Sequence, residues 1–477
     1  MTVFAQPTET ESTPADETAV RSGATIPHLP GPPIVGHAMA LQNDRLGLFQ
    51  RTVVACGDIG SFTVGPQTVV LLNSPALAHD VLVTQAAAFE KPYTLRDYTK
   101  ELFGNGLVSS LNSFHGRQRK LVAPAFQHRR VVTYADIMAG DAERIQEEWS
   151  DGATLDLSHE MMRVTMWIVG KTLFDADVTT DDAALDKPIV RGNRLLNRRV
   201  TGLFPIPLWI PTLQNLRDRH AIDQINKIVY RIIAERRADP GDRGDLLSML
   251  LTAQHADDGT LMTDLQVRDE AMTLFLAGHE TTANALTWSW YLLSQPRHRR
   301  IYQHMQAEID STLQGRTPTY ADLKALPYTL QVLKESMRLY PPVPSVAREA
   351  TDGPVVVGGY RFRRRSVFVI NPYTLHRHPS VWTDPETFDP ERFADGAEAR
   401  LPKGAYIPFI SGPRNCIGNQ FATMEGHLLL AAFAQRVTFE FVPNQRVEPE
   451  ALITLRPKYG MKVVVRRRNI PRVAAAG

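Results

Sequence analysis

Ten residues near the C-terminus constrain this chain more than any other stretch: Phe409-Ile410-Ser411-Gly412-Pro413-Arg414-Asn415-Cys416-Ile417-Gly418. They place a cysteine in a loop crowded with glycine and proline. A long apolar run, Phe421 to Val437, follows and reads as a helix. A thiolate in such a loop can ligate an iron if backbone amides point at its sulfur and lower its basicity. Gly412 and Gly418 let the backbone come close to the sulfur and to a bound macrocycle without an intervening Cβ. Arg414, two residues before Cys416, can reach an anionic edge of that macrocycle, and Phe409 can shield the sulfur from water. The following helix directs its N-terminal amides toward the thiolate. A structural cysteine buried in a tight turn is the competing reading of these residues.

The stretch resembles the signature loop of the cytochrome P450 family, Phe-x-x-Gly-x-Arg-x-Cys-x-Gly, at every fixed position. Three further motifs stand in that family's order: Ala277-Gly278-His279-Glu280-Thr281-Thr282, Glu335-Ser336-Met337-Arg338, and Pro390-Glu391-Arg392-Phe393. The resemblance covers nearly the whole chain after residue 27. It implies a mainly α fold with a small β region, in which a long central helix crosses haem b (iron protoporphyrin IX). It makes Cys416 the iron ligand and Glu335, Arg338 and Arg392 a structural triad that locks the loop leading to the cysteine. It also makes His115, Arg119, Arg348 and Arg414 propionate ligands, with Ala277, Phe409 and Gly418 against the macrocycle. For His115 and Arg119, four residues apart on one helical face, a basic solvated face is the alternative.

Net charge is +2 over 477 residues, so bulk nucleic-acid binding is not expected. No stretch has the length of a transmembrane helix, and residues 1–26 read as a disordered tail rather than a signal or anchor. These features suggest a cytoplasmic protein with one domain over 27–477. The two cysteines, Cys56 and Cys416, could in principle pair, but no secretory signal accompanies them and Cys56 reads as a small packing residue.

The pattern predicts a helix over residues 41–53 and a hairpin, Ile59–Val64 and Thr68–Leu72, turned at Gly65-Pro66. A short helix from Pro75 is capped by Ser74. Residues 84–112 show no clean period; the resemblance makes them the loop that covers the substrate. Helical patterns run over Arg129–Trp149, Leu157–Phe174, Asp186–Asn197 (with Pro188 in its first turn), Leu213–Arg237, Met262–Leu293 and Leu330–Tyr340. Phe204 to Pro211 is a proline-broken apolar loop; it resembles the lid linking the two helices over the substrate channel, with core packing under the lid or contact with a membrane surface as the alternatives. Val355–Tyr360 and Ser366–Asn371 read as strands with a turn at Gly358-Gly359, and Thr438–Val442 and Met461–Val465 as the last strands.

Within the longest helix, Gly278, Thr281 and Thr282 are poor helix formers. Threonine hydroxyls bond back to carbonyls four residues earlier, and a local cost mid-helix points to a site; a merely kinked core helix is the alternative. The resemblance makes Thr281 and Glu280 an alcohol–acid pair that delivers protons, with Gly278 leaving room for oxygen. Phe89, Tyr93, Phe275, Ala277, Val343, Val346 and Ile453 are the candidate pocket lining, and Arg96 could meet a carboxylate. The implied activity is hydroxylation of a lipophilic secondary metabolite or lipid, whether terpenoid, fatty acid, steroid or polyketide. It uses O2 and electrons from a separate ferredoxin with its reductase, or from a flavin reductase. A peroxide-driven peroxygenase and a non-catalytic haem protein are the other classes; the Glu280–Thr281 pair argues against both.

Overall fold

The computed structural model describes residues 25–470 apart from 179–181, 203–205, 240, 242, 254–258, 260 and 352. Its axis is a 30-residue helix, Asp264–Leu293, about 45 Å long at 1.5 Å per residue. Thr263 and Gln266 form a capping box at its start. Nearly every later turn is buried on all sides, so it has no polar face. It lies along Leu157–Phe174 and meets Pro327–Leu339 and Asn419–Arg436 in one apolar core.

A five-stranded sheet flanks the helices in the order Ile59–Val64, Gln67–Leu72, Val367–Ile370, Val346–Ala350, Phe89–Glu90. The first pair turns at Gly65-Pro66 as expected, with Ile59 opposite Leu72. Arg348 enters the structure here, opposite Phe368. Thr154–Asp156, Lys462–Arg467 and Val437–Phe441 form a second sheet. Val355–Val357 pairs with Tyr360–Phe362, so Tyr360 begins a strand rather than ending one. Pro449–Ala451 and Leu455–Pro457 make a further hairpin.

Several helix boundaries differ from the sequence pattern. The covering segment contains a regular helix, Tyr93–Phe103, whose Thr99, Leu102 and Phe103 are buried against the central helix and Asp182–Thr201. Polar residues between those positions masked the period. Pro188 lies in the second turn of Asp182–Thr201, not the first, and costs that helix one backbone hydrogen bond. Pro327 opens its helix three residues before Leu330. Arg129–Trp149 is divided by a 3-10 turn, Val132–Tyr134. Asp44 separates Ala38–Asn43 from Arg45–Cys56 and caps the second by accepting from Gly47 N–H. The first 24 residues of the expected tail and the start of the Phe204–Pro211 segment lie outside the described residues. Both cysteines are free thiols. Among the described residues no helix is long and apolar enough to cross a membrane.

The cysteine loop is positioned by a buried ion pair. Arg338 Nε and Nη2 donate to the two oxygens of Glu335 at 2.7 and 2.8 Å. Its remaining N–H groups donate to the carbonyls of His376, Pro385 and Thr387. Glu335 also accepts from Asp389 N–H at 3.0 Å, and Arg392 Nε approaches it at 3.5 Å. His376, whose carbonyl Arg338 grips, accepts Ile407 N–H on its Nε2 at 2.9 Å. Burial first, then the charges of Arg338 and Arg377, lower the His376 pKa to about 3, which keeps that nitrogen an acceptor. A continuous chain therefore runs from Glu335 to the segment entering the cysteine loop. Removing one partner of a buried pair costs roughly 3–5 kcal/mol. Glu335→Ala is expected to give largely insoluble or haem-free protein, scored by soluble yield and haem content; a soluble, haem-replete variant would count against this linkage.

Candidate active site

Backbone bonds fix the cysteine loop before any side chain acts. Cys416 N–H donates to Phe409 O at 2.9 Å and Asn415 N–H to Gly412 O at 3.0 Å. Ile410 and Gly412 both have positive φ, +60° and +79°. A Cβ on Gly412 would stand 1.8 Å from Leu82 O, so only glycine fits. A Cβ on Gly418 would meet only Phe126, at 3.6 Å, so packing within the chain does not demand glycine there. Helix Asn419–Arg436 starts three residues after Cys416. The Cys416 thiol lies deep in the fold yet keeps accessible surface. Burial raises its pKa; the Gly418 N–H and the Arg119 charge pull the other way. Phe409 packs half-buried at the edge of the core, and Phe126 lies beside Gly418.

Beside this loop is a cavity of about 580 Å³ lined by His115, Arg119, Arg348 and Arg414 together with Phe89. Three stretches distant in sequence thus share one wall. Arg414 Nε donates to Asn112 Oδ1 at 2.8 Å, and Nη2 donates to Ser110 O at 2.8 Å and Glu90 at 3.2 Å. Its Nη1 is buried without a protein acceptor. Arg119 grips Asn415 through O and Oδ1 at 2.7 and 2.8 Å, tying the Asn112–Val122 helix to the residue before Cys416. Lys91, which sequence reasoning missed, is buried beside them and donates to Val108 O. No period marks it; its place depends on the short strand Phe89–Glu90.

Cations outnumber carboxylates around this wall. Lys91, Arg119, Arg348 and Arg414 surround it, and Glu90 is the carboxylate bonded to Arg414. Burial and then the Arg414, Lys91, Arg119 and Arg348 charges hold His115 down to about 3. Burial, then Arg414, lowers Arg348 to about 10. Such a field favours an anionic guest. The spare N–H of Arg414 and the accessible Cys416 sulfur beside the same wall would suit a group that carries both carboxylates and a metal ion.

On the central helix, Thr281 Oγ1 donates to Ala277 O at 2.9 Å, the back-bond expected from its position. Both side chains are half-buried on one face, while their neighbours are largely enclosed. Gly278 does something different from expectation. A Cβ there would come 3.1 Å from Val169 Cγ2, so the missing side chain lets Leu157–Phe174 pack close. Glu280 is only 5% exposed; its Oε2 accepts from Asn193 Nδ2 at 2.5 Å and its Oε1 from Thr454 Oγ1 at 2.6 Å.

The candidate pocket residues are scattered. Phe275 lies about 200° around the helix from Ala277, tilted against Phe174, and lines a small apolar cavity with Ile225 and Val229 away from the basic wall. Phe89 is buried edge-on to Phe368 on the basic cavity wall. Tyr93 is 46% exposed, with the Arg365 guanidinium over its ring. Arg96 pairs with its neighbour Asp97. Val346 packs at the edge of the sheet cluster and Ile453 at the edge of the main core, with Val343 half-buried between buried prolines.

The chain belongs to the cytochrome P450 family of haem-thiolate proteins, whose model matches residues 27–464. It is a P450 monooxygenase, and haem b is the cofactor of that family. Cyclooctatin synthase of Streptomyces melanosporofaciens is 36% identical over 89% of this chain and 92% of its own length. Cyclooctat-9-en-7-ol 5-monooxygenase of the same organism is 34% identical over 86% and 89%. Pentalenene oxygenase of Streptomyces avermitilis is 33% identical over 89% and 93%.

The unpartnered Arg414 N–H makes a direct expectation. Arg414→Leu should fold but release haem faster into an excess of apomyoglobin, whereas Arg117→Leu, at an exposed position of the neighbouring helix, should release it at the parent rate. Equal rates for all three proteins would remove Arg414 from haem binding.

Proposed function

We propose that this chain inserts oxygen into a C–H bond of a terpenoid within a single domain spanning residues 27–477. The observation that carries the substrate class is the likeness, over nearly the full length, to relatives named for a pentalenene and a cyclooctatenol substrate. Cys416 holds the iron through its sulfur, and His115, Arg119, Arg348 and Arg414 hold the propionates. Bound there, haem b supplies O2 activation and oxygen transfer.

The protein's own residues supply the rest. Phe409 and Phe126 keep water from the sulfur side. Thr281, its proton committed to Ala277 O, presents oxygen lone pairs that hold a water in hydrogen-bond reach of the pocket. Glu280, the next residue back, passes protons to that water. The acid–alcohol pair favours electron-driven turnover over a peroxygenase. Electrons come from a separate ferredoxin or flavoprotein. Arg117, Lys120 and Arg129 are exposed and suit an acidic partner. Arg414 is internal, and Arg130 is committed to Gly244 O, so neither belongs to that face.

Spin-state titration with cyclic terpenes, fatty acids, steroids and macrolides tests the substrate class. Terpenes should give the high-spin shift at the lowest concentration; a shift with fatty acids alone would overturn the assignment. Thr281→Ala should keep its haem and substrate affinity and continue to consume reductant. Product per electron pair should fall and hydrogen peroxide rise, within the ~10²–10⁴-fold scale of acid–base contributions. A product-to-reductant ratio equal to the parent's would return Thr281 to helix packing.

A further inference from the structure

The carboxylate of Glu280 does not look toward solvent. It is enclosed where three elements meet that are far apart in sequence. One donor, Asn193, comes from the helix Asp182–Thr201, and the other, Thr454, from the turn of the Pro449–Pro457 hairpin. Each donor occupies a different carboxylate oxygen. A carboxyl held at both oxygens cannot rotate about its last bond without breaking at least one of these contacts.

A second rung runs beside the first. Asn197 sits one turn after Asn193 and therefore on the same face. Its Oδ1 accepts from Arg45 Nη2 at 2.5 Å, and Arg45 Nη1 donates to Leu452 O, two residues before Thr454. Arg45 is itself buried, which lowers its pKa to about 10. The helix Asp182–Thr201 is thus pinned to the hairpin at two successive turns, with Glu280 inside the first pin. The hairpin is fixed in its turn: Leu455 N–H donates to Pro342 O at 2.8 Å, and Trp288 Nε1, two turns beyond Glu280 on the central helix, donates to Leu455 O at 2.9 Å. Two of the three elements form one rigid frame, and Asp182–Thr201 closes onto it.

We infer that Asn193 and Thr454 are positioning residues that clamp the Glu280 carboxylate, so that proton delivery depends on the helix Asp182–Thr201 being seated on the hairpin. This rests on Glu280 passing protons to the water held by Thr281. The clamp holds the acid in one orientation, one residue before Thr281, and encloses it. A guest that lifts Asp182–Thr201 off the hairpin releases one carboxylate oxygen and leaves the acid unaligned. Chemistry is therefore confined to the seated arrangement, and substrates that hold the helix open are turned over poorly even when they bind.

The substitutions separate the clamp from the proton. Glu280→Gln removes the proton but keeps the clamp, because Asn193 can flip its amide to present Oδ1 to the new amide N–H while Thr454 still donates to the amide oxygen. Asn193→Ala and Thr454→Val keep the proton and remove one donor each; Thr454→Ser keeps the donor. Turnover number, substrate dissociation constant, haem content and solvent deuterium isotope effect are measured for each holoenzyme with one substrate. The clamp predicts that Asn193→Ala and Thr454→Val lower kcat about 10-fold, part of the ~10²–10⁴-fold scale of a lost acid. It predicts a larger solvent isotope effect with binding and haem content unchanged, and parent behaviour for Thr454→Ser. Adding Asn193→Ala to Glu280→Gln should cost almost nothing more, since interacting groups are non-additive. Slow Glu280→Gln with parent-like Asn193→Ala and Thr454→Val would overturn the clamp and leave the proton relay standing. Losses in haem or substrate binding that multiply with Glu280→Gln would reduce both residues to packing. Parent-like Glu280→Gln would overturn the relay and the clamp together.

Discussion

The segment that enters the cysteine loop hangs from the Glu335–Arg338 pair. All five guanidinium N–H groups are used: two on Glu335 and three on the carbonyls of His376, Pro385 and Thr387. A buried ion pair does not stabilise strongly in itself, because desolvation offsets most of its Coulomb attraction. Its value is geometric. One rigid planar fork fixes two segments relative to a helix, and His376 relays that position to Ile407, two residues from Phe409. The Phe409 carbonyl then receives Cys416 N–H. The pair acts as a datum from which the thiolate loop is measured.

Two electrostatic settings follow on the two sides of that loop. At the sulfur, burial favours the neutral thiol and outweighs the Gly418 N–H and Arg119; a bound cation at the sulfur reverses the balance. At the basic wall, burial and mutual repulsion lower Arg348 and His115 together. Packing these cations around one carboxylate, Glu90, is unfavourable for the chain alone. One group carrying both a metal cation and two carboxylates relieves both costs. This is a site in which local rules fail for a functional reason.

What the sequence showed was local. The Gly65-Pro66 hairpin turn, the Ser74 cap and the back-bonding Thr281 each depend on a few neighbouring residues, and each has its expected geometry; in the cysteine loop Gly412 is required, but by Leu82 O rather than by the sulfur. Long-range partners left no such trace. Asn193 and Thr454 stand 87 and 174 residues from Glu280, and no period marks them. Lys91 is placed by a two-residue strand. Two other departures concern which way a helix faces. Phe275 is apolar enough for the pocket, but two residues' rotation from Ala277 turns it to the opposite side. Gly278 sits next to the correct face, yet its missing Cβ serves Val169.

The central claim is that Cys416, and no other residue, gives this fold its haem chemistry. Cys56 is the other cysteine, half-buried in a different part of the chain. The measurement is the Soret band of the reduced, carbon monoxide-bound protein for the parent, Cys416→Ser and Cys56→Ser. The account predicts the red-shifted thiolate band in the parent and in Cys56→Ser, and its loss in Cys416→Ser. A red-shifted band that survives Cys416→Ser would contradict it.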